Sequence, residues 1–192
     1  MDVRVVPSFA DVLALDVAAT AVDMPIGLPD RGVRACDVEA RARLGPRRSS
    51  VFPALIRPLL AATTYPEALA LSRAIEGKGI SAQSWNLVTK LRDVDDEMTP
   101  SRQHRVVEAS PELSFALLRG APCPSSKRTS AGAGERRDAL GCDIPRVRGA
   151  AVHDVLDACV LTVTARRHLA GTAACLGDGA VDAKGLRQTI VV

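Results

Sequence analysis

Four acids and two groups of cations in this 192-residue chain are of the types that could do chemistry together. Asp23 ends an apolar run, VAATAVDMPIGLP over residues 17–29, and a Pro/Gly turn follows at once. Such a run predicts a buried strand that leads into a loop. In open α/β sheets ligands bind beyond the carboxyl ends of the strands, so a carboxylate placed there is a site candidate. The rival reading is an acid that only bonds the amides of its own turn. Glu108 closes a second strand-like stretch, residues 104–109. Asp154 and Asp157 fall in the first turn of a helix predicted over residues 153–169, three apart and so on one face. They serve equally as a capping pair that complements the helix dipole. If that turn faces the ends of both strands, four carboxylates converge.

The cations lie in two places. Arg34, Arg41, Arg43, Arg47 and Arg48 make one stretch the most basic in the chain. Their commoner fate is solvation or pairing with Asp37 and Glu39; the alternative is a phosphate-facing patch, since guanidinium matches phosphate with a bidentate fork. The second place is SSKRTSAGAGERRDAL, where Lys127, Arg128, Arg136 and Arg137 stand beside the amides of a helix start that could hold an anion. A mobile surface loop explains that stretch equally well. It is not a P-loop, because no Gly-Lys-Ser/Thr follows a four-residue gap. Asp93, Asp95, Asp96 and Glu97 crowd the end of a helix predicted over residues 82–96. Their spacing fits no Ca²⁺ loop, so they read as a solvated acidic end.

Alternating short strands and helices must position these groups. Residues 3–6 predict a strand, and Ser8 with Asp11 a capping box that opens a helix. A helix over residues 33–44 stops at Gly45-Pro46. Another over residues 66–76, capped by Thr64, ends at Gly77. Trp85, Val88, Leu91 and Val94 form the apolar stripe of the helix over residues 82–96. Ser110-Pro111-Glu112 opens a helix through Leu118, and residues 188–192 predict a last strand. The whole reads as one α/β domain spanning residues 1–192.

Composition limits the function classes. Hydrophobic residues at 47% and charged residues at 24% are those of a folded domain rather than a disordered chain. With one Trp, one Tyr and three Phe, base-stacking platforms for single-stranded nucleic acid are not expected. A net charge of +3 does not by itself argue for nucleic acid. Five scattered cysteines without a Cys-x-x-Cys argue against a zinc site or a disulfide framework and for reduced thiols. No signal pattern and no apolar run long enough to span a bilayer is present, so a cytoplasmic protein with no membrane partner is expected.

Taken together these residues resemble the DUF429 family over nearly the whole chain. The resemblance is carried by Asp23-Met24-Pro25-Ile26-Gly27-Leu28-Pro29, by Arg34-Ala35-Cys36-Asp37 with Ala40-Arg41 and Leu44-Gly45, and by Arg48-Ser49-Ser50-Val51-Phe52. Gly79-Ile80-Ser81-Ala82-Gln83 and Glu108 with Pro111-Glu112-Leu113-Ser114-Phe115 continue it. Ser126-Lys127-Arg128-Thr129, Asp154-Val155-Leu156-Asp157-Ala158 and Gly185-Leu186-Arg187 complete it.

The resemblance implies a ribonuclease H-like mixed sheet flanked by helices, and a nuclease that hydrolyses phosphodiester bonds. By position Asp23 corresponds to the fourth-strand acid, Glu108 to the fifth-strand acid, and Asp154 or Asp157 to the helix acid. Asp23, Glu108 and Asp157 are then the expected catalytic residues, and these three with Asp154 the ligands of Mg²⁺ or Mn²⁺. Such ions can activate water and stabilise a leaving oxygen, and carboxylates are the hard ligands they favour. Without metal the clustered acids repel and raise one another's pKa. Arg47, Arg48, Lys127 and Arg128 are the expected phosphate contacts, with nucleic acid or a nucleotide as partner. The alternative function is a non-catalytic nucleic-acid or nucleotide-binding module of the same fold.

Two departures stand out. Ser110 replaces a histidine of the family's Glu-x-His-Pro-Glu stretch. The first and second strands, with an Asp-Gly pair on the first, are missing ahead of residues 3–6. A start codon placed too far downstream, an inactive truncated relative without function, and a partner that donates the hairpin are the three explanations.

Overall fold

A computed structural model describes residues 2–192. The architecture is α/β, with helices dominant over small sheets. The chain opens with helix α1 (Phe9–Leu13), whose cap is the expected reciprocal box: Ser8 Oγ accepts from the Asp11 amide and the Asp11 carboxylate accepts from the Ser8 amide. Strand β1 (Thr20–Val22) follows and delivers the chain to Asp23. Next come helix α2 (Ala35–Leu44), two 3₁₀ turns (Gly45–Ser50 and Arg57–Ala61), and helix α3 (Tyr65–Glu76) with its own Thr64/Glu67 capping box and left-handed Gly77 at its end. Helices α4 (Ala82–Trp85) and α5 (Val88–Glu97) lead to strand β2 (Val106–Glu108). Helices α6 (Pro111–Arg119), α7 (Ser130–Leu140) and α8 (Val152–Leu169) precede strands β3 (Cys175–Leu176) and β4 (Ile190–Val191).

Strand β1 runs parallel to β2, with Val22 opposite Glu108, so Asp23 emerges beside the end of β2. An isolated parallel bridge, Ala109 to Val191, attaches β2 to β4, and β4 pairs antiparallel with β3. The last residues of the chain therefore lie between earlier ones. Side chains of Cys36, Ala40, Leu44, Leu113, Leu176 and Ile190 fill the space between this sheet and helices α2 and α6. On another side Phe115, Cys123, Leu156 and Val160 join α6 to α8, and a buried Ser114–Thr164 hydroxyl pair at 2.7 Å crosses the same seam.

Three expectations from the sequence are corrected. Residues 3–6 form no strand: they run unpaired ahead of α1, and Val5 is exposed, because no neighbouring strand supplies ladder partners. The helix expected over residues 82–96 is two, broken at Asn86-Leu87. Only Val88, Leu91 and Val94 of the stripe are fully buried, while Trp85 is partly so. The acidic end of α5 is not simply solvated. Asp93 accepts from the Phe9 amide at 2.8 Å, and Asp95 takes both the Arg57 fork, at 2.9 and 3.0 Å, and Lys184.

Candidate functional site

The turn after β1 is where the sequence's leading acid meets the rest of the molecule, and its backbone is pinned from three sides. Ile26 donates its amide to Glu108 Oε2 at 2.7 Å, Leu28 donates to Asp182 at 3.0 Å, and the Pro29 carbonyl accepts from the Arg57 amide at 2.8 Å. Gly27 adopts φ +78°, and a Cβ there would stand 2.8 Å from the Arg187 carbonyl oxygen. Glycine is what permits this close approach.

Beneath the turn lies a buried ion network centred on Arg34, which is only 2% exposed. Its Nη1 and Nη2 each reach a Glu108 oxygen at 2.7 Å, while Nη2 and Nε hold Asp37 at 2.6 and 3.1 Å. Asp37 in turn accepts from the Ala54 amide at 3.0 Å. Burial works against the Arg34 charge, but Glu108 and Asp37 outweigh it and hold the guanidinium well above its ordinary value. Both oxygens of Glu108 are thus committed to Arg34, which leaves this acid a clamp between strands and turn. The arginine that sequence reading grouped with a surface patch is the interior cation of the site.

A second buried pair repeats the device. Arg136 is fully buried, gives Nη2 to both Glu112 oxygens at 2.7 and 2.9 Å, and stacks over Phe115. The expectation that Arg136 faces an anion at the start of α7 is corrected: Thr129 caps that helix through the Gly132 amide, and Arg136 points inward.

Above these pairs opens the cleft. Asp23 stands at its centre, facing cleft water yet surrounded by protein. Burial, then the nearby charge of Asp157, pushes the Asp23 carboxyl up to about 7, with Lys127 opposing and Glu108 and Glu112 adding to the rise. Asp157, buried on α8, receives Lys127 Nζ on Oδ2 at 2.5 Å, and its Oδ1 is buried without a partner. Burial opposes the Lys127 charge, but Asp157, then Asp23 and Glu112, hold the ammonium above its usual range. Burial lifts Asp157 as well, against the pull of Lys127.

Two connected hollows share Asp23, Ser50, Phe52, Gln83, Ser110 and Lys127. A mostly apolar chamber of about 270 Å³ runs back past Met24, Leu55, Leu87 and Leu91. A more polar groove of about 370 Å³ runs outward past Arg47, Ser126 and Arg128. Asp23, Lys127, Arg47 and Arg128 line these hollows, and Asp157 is joined to them through Lys127. Arg48 is exposed and lines neither hollow. Asp154 lies apart as well, its side chain 63% exposed and 3.5 Å from His153. The one-face reading of the two α8 acids is corrected: three residues turn a helix through less than a full circle, enough here to leave Asp154 in solvent while Asp157 faces inward. Among the described residues no group of three or more His, Cys, Asp or Glu could hold a metal ion.

Fold and site together define an α/β protein with an acid–lysine cleft at the carboxyl ends of two parallel strands. The chain belongs to the DUF429 family, whose model, described as a protein of unknown function, matches residues 1–181. No curated protein and no solved structure matches it.

Proposed function

We propose that the cleft binds the phosphate of a nucleic acid or nucleotide and hydrolyses a phosphodiester bond with the help of Mg²⁺ or Mn²⁺, on a ribonuclease H-like fold in the cytoplasm. The observation that carries this reading is the buried, partnerless Oδ1 of Asp157, whose other oxygen holds Lys127, the lysine that lines the groove together with Asp23, Arg47 and Arg128. A buried acceptor left unpaired calls for a donor or a cation. Asp23 and Asp157 supply hard oxygen ligands, and Mg²⁺ is commonly held by one or two carboxylates together with substrate phosphate. These two residues fit an ion that arrives with its substrate. Bound there, it would activate a water for attack on phosphorus.

The chain's own groups support the remaining tasks. Lys127 neutralises Asp157 until substrate enters, and its ammonium then has a phosphate oxygen as alternative partner. Arg47 and Arg128 hold the phosphate along the groove. Asp23, with a pKa near neutrality, can accept a proton from an attacking water or give one to a leaving oxygen.

A second reading, binding without hydrolysis, is favoured by the double commitment of Glu108 to Arg34, which withholds one of the expected acids. Calorimetry with Mn²⁺ and a cleavage assay on short oligonucleotides separate the two. Hydrolysis predicts Mn²⁺-dependent cleavage that falls at least a hundredfold in Asp23→Asn and in Asp157→Asn. Oligonucleotide binding that is equal in chelator and in Asp23→Asn, with no cleavage under any metal, establishes the binding module instead.

A further inference from the structure

We propose that the apolar chamber takes a single unpaired nucleobase, so that the site accepts a single-stranded end or a lone nucleotide and excludes duplex. The inference rests on the phosphate-holding half of the function proposed above. Three observations carry it.

The chamber opens directly onto the groove, and Lys127 and Asp23 stand at the junction of the two. A phosphate placed between Lys127, Arg47 and Arg128 therefore points whatever it carries either back into the chamber or out to solvent. Next, Phe52 is 49% exposed although it lines both hollows, and it belongs to none of the core clusters. An aromatic face free at the entrance of an apolar chamber suits a flat ring, and aromatic stacking tolerates any base. One such face serves one base, whereas a long single strand needs a row of them, which this aromatic-poor chain lacks. Finally, the chamber's surface is mostly apolar, from Met24, Leu55, Leu87 and Leu91, with Gln83 and Ser84 as neutral polar points and the charged Asp23, Asp37, Glu108 and Lys127 also in its wall. Apolar surface with polar groups placed to fix orientation is what small-ligand sites share. At about 270 Å³ it falls just below the usual range of such sites, a size that suits a single base.

The test compares inorganic phosphate, adenosine and uridine monophosphates, a single-stranded tetranucleotide and a blunt duplex of the same length. Binding is measured by calorimetry in chelator, and cleavage separately with Mn²⁺. The monophosphates and the tetranucleotide are expected to bind at least tenfold more tightly than phosphate or duplex. Phe52→Ala, at a half-exposed position that spares the core, is expected to erase that advantage while leaving phosphate binding unchanged. Duplex binding or cleavage equal to that of the single strand overturns the proposal, as does nucleotide binding that Phe52→Ala leaves intact or that never exceeds phosphate binding. Nucleotide binding that depends on Phe52, with no cleavage under Mn²⁺, removes hydrolysis and keeps the chamber's occupant.

Discussion

Asp23 is held where its charge is uncomfortable. Its folded pKa of about 7 lies above the ordinary 3.8, so between those values the folded state binds a proton that the unfolded chain has released. Stability contributed by that proton is present at low pH and declines as pH rises toward 7. Asp23→Asn removes the titration. It is expected to raise the melting temperature at pH 8, where the native carboxylate is charged, and to leave it nearly unchanged at pH 4. Because Asp23 faces cleft water, screening reduces the gain to on the order of 1 kcal/mol. Thermal melts at the two pH values check this, and an equal effect at both would remove the electrostatic account. The sequence exposed Asp23 and Asp157 as candidates through position alone, one at a strand's end and one at a helix's start. It did not expose Arg34 as Glu108's partner, because a buried pair formed by residues 74 apart in sequence leaves no local pattern. Its one local trace is Asp37, three residues on, which was visible only as a charge neutraliser.

At the scale of elements the legible features were those whose hydrogen bonds close within a few residues. The capping box at Ser8, the Thr64 cap, the left-handed Gly77 and the buried stripe of α5 all follow from short-range rules. The break at Asn86-Leu87 and the unpaired course of residues 3–6 do not, since each depends on what lies alongside in space. The turn after β1 sits between the two cases. Its Pro/Gly composition announces a loop, yet its shape is set by distant partners, Asp182 and the Arg187 carbonyl. Gly27→Ala places a methyl carbon against backbone oxygen at positive φ, so the turn must shift. A loss of about 2 kcal/mol or more in denaturant unfolding is expected, accompanied by weaker oligonucleotide binding. Unchanged unfolding would show that the turn has slack.

Across the whole molecule, Arg34 joins β2, the turn after β1 and α2 in one charged knot. Arg34→Met leaves Glu108 and Asp37 as uncompensated buried acids, and breaking a buried pair from one side costs about 3–5 kcal/mol. Arg34→Lys is expected to recover little, because one ammonium cannot reproduce the fork that serves both carboxylates. Urea unfolding of the two variants measures this; full recovery by lysine would show that charge alone matters there. The α/β character was readable from the alternation of strand and helix signals, whereas the small extent of the sheet was not, since strand pairing is decided by non-local neighbours.

The seating of β4 between β2 and β3 has a consequence for how the chain is made. Ile190, which lines the chamber, and Val191, which bridges to Ala109, leave the ribosome long after the strands and turn that carry Asp23. Contacts so far apart in sequence form late and slowly. The helical parts can collapse during synthesis, but the chamber wall closes only once residues 190–191 have emerged. Until then the acids and the lysine have no enclosed cleft around them.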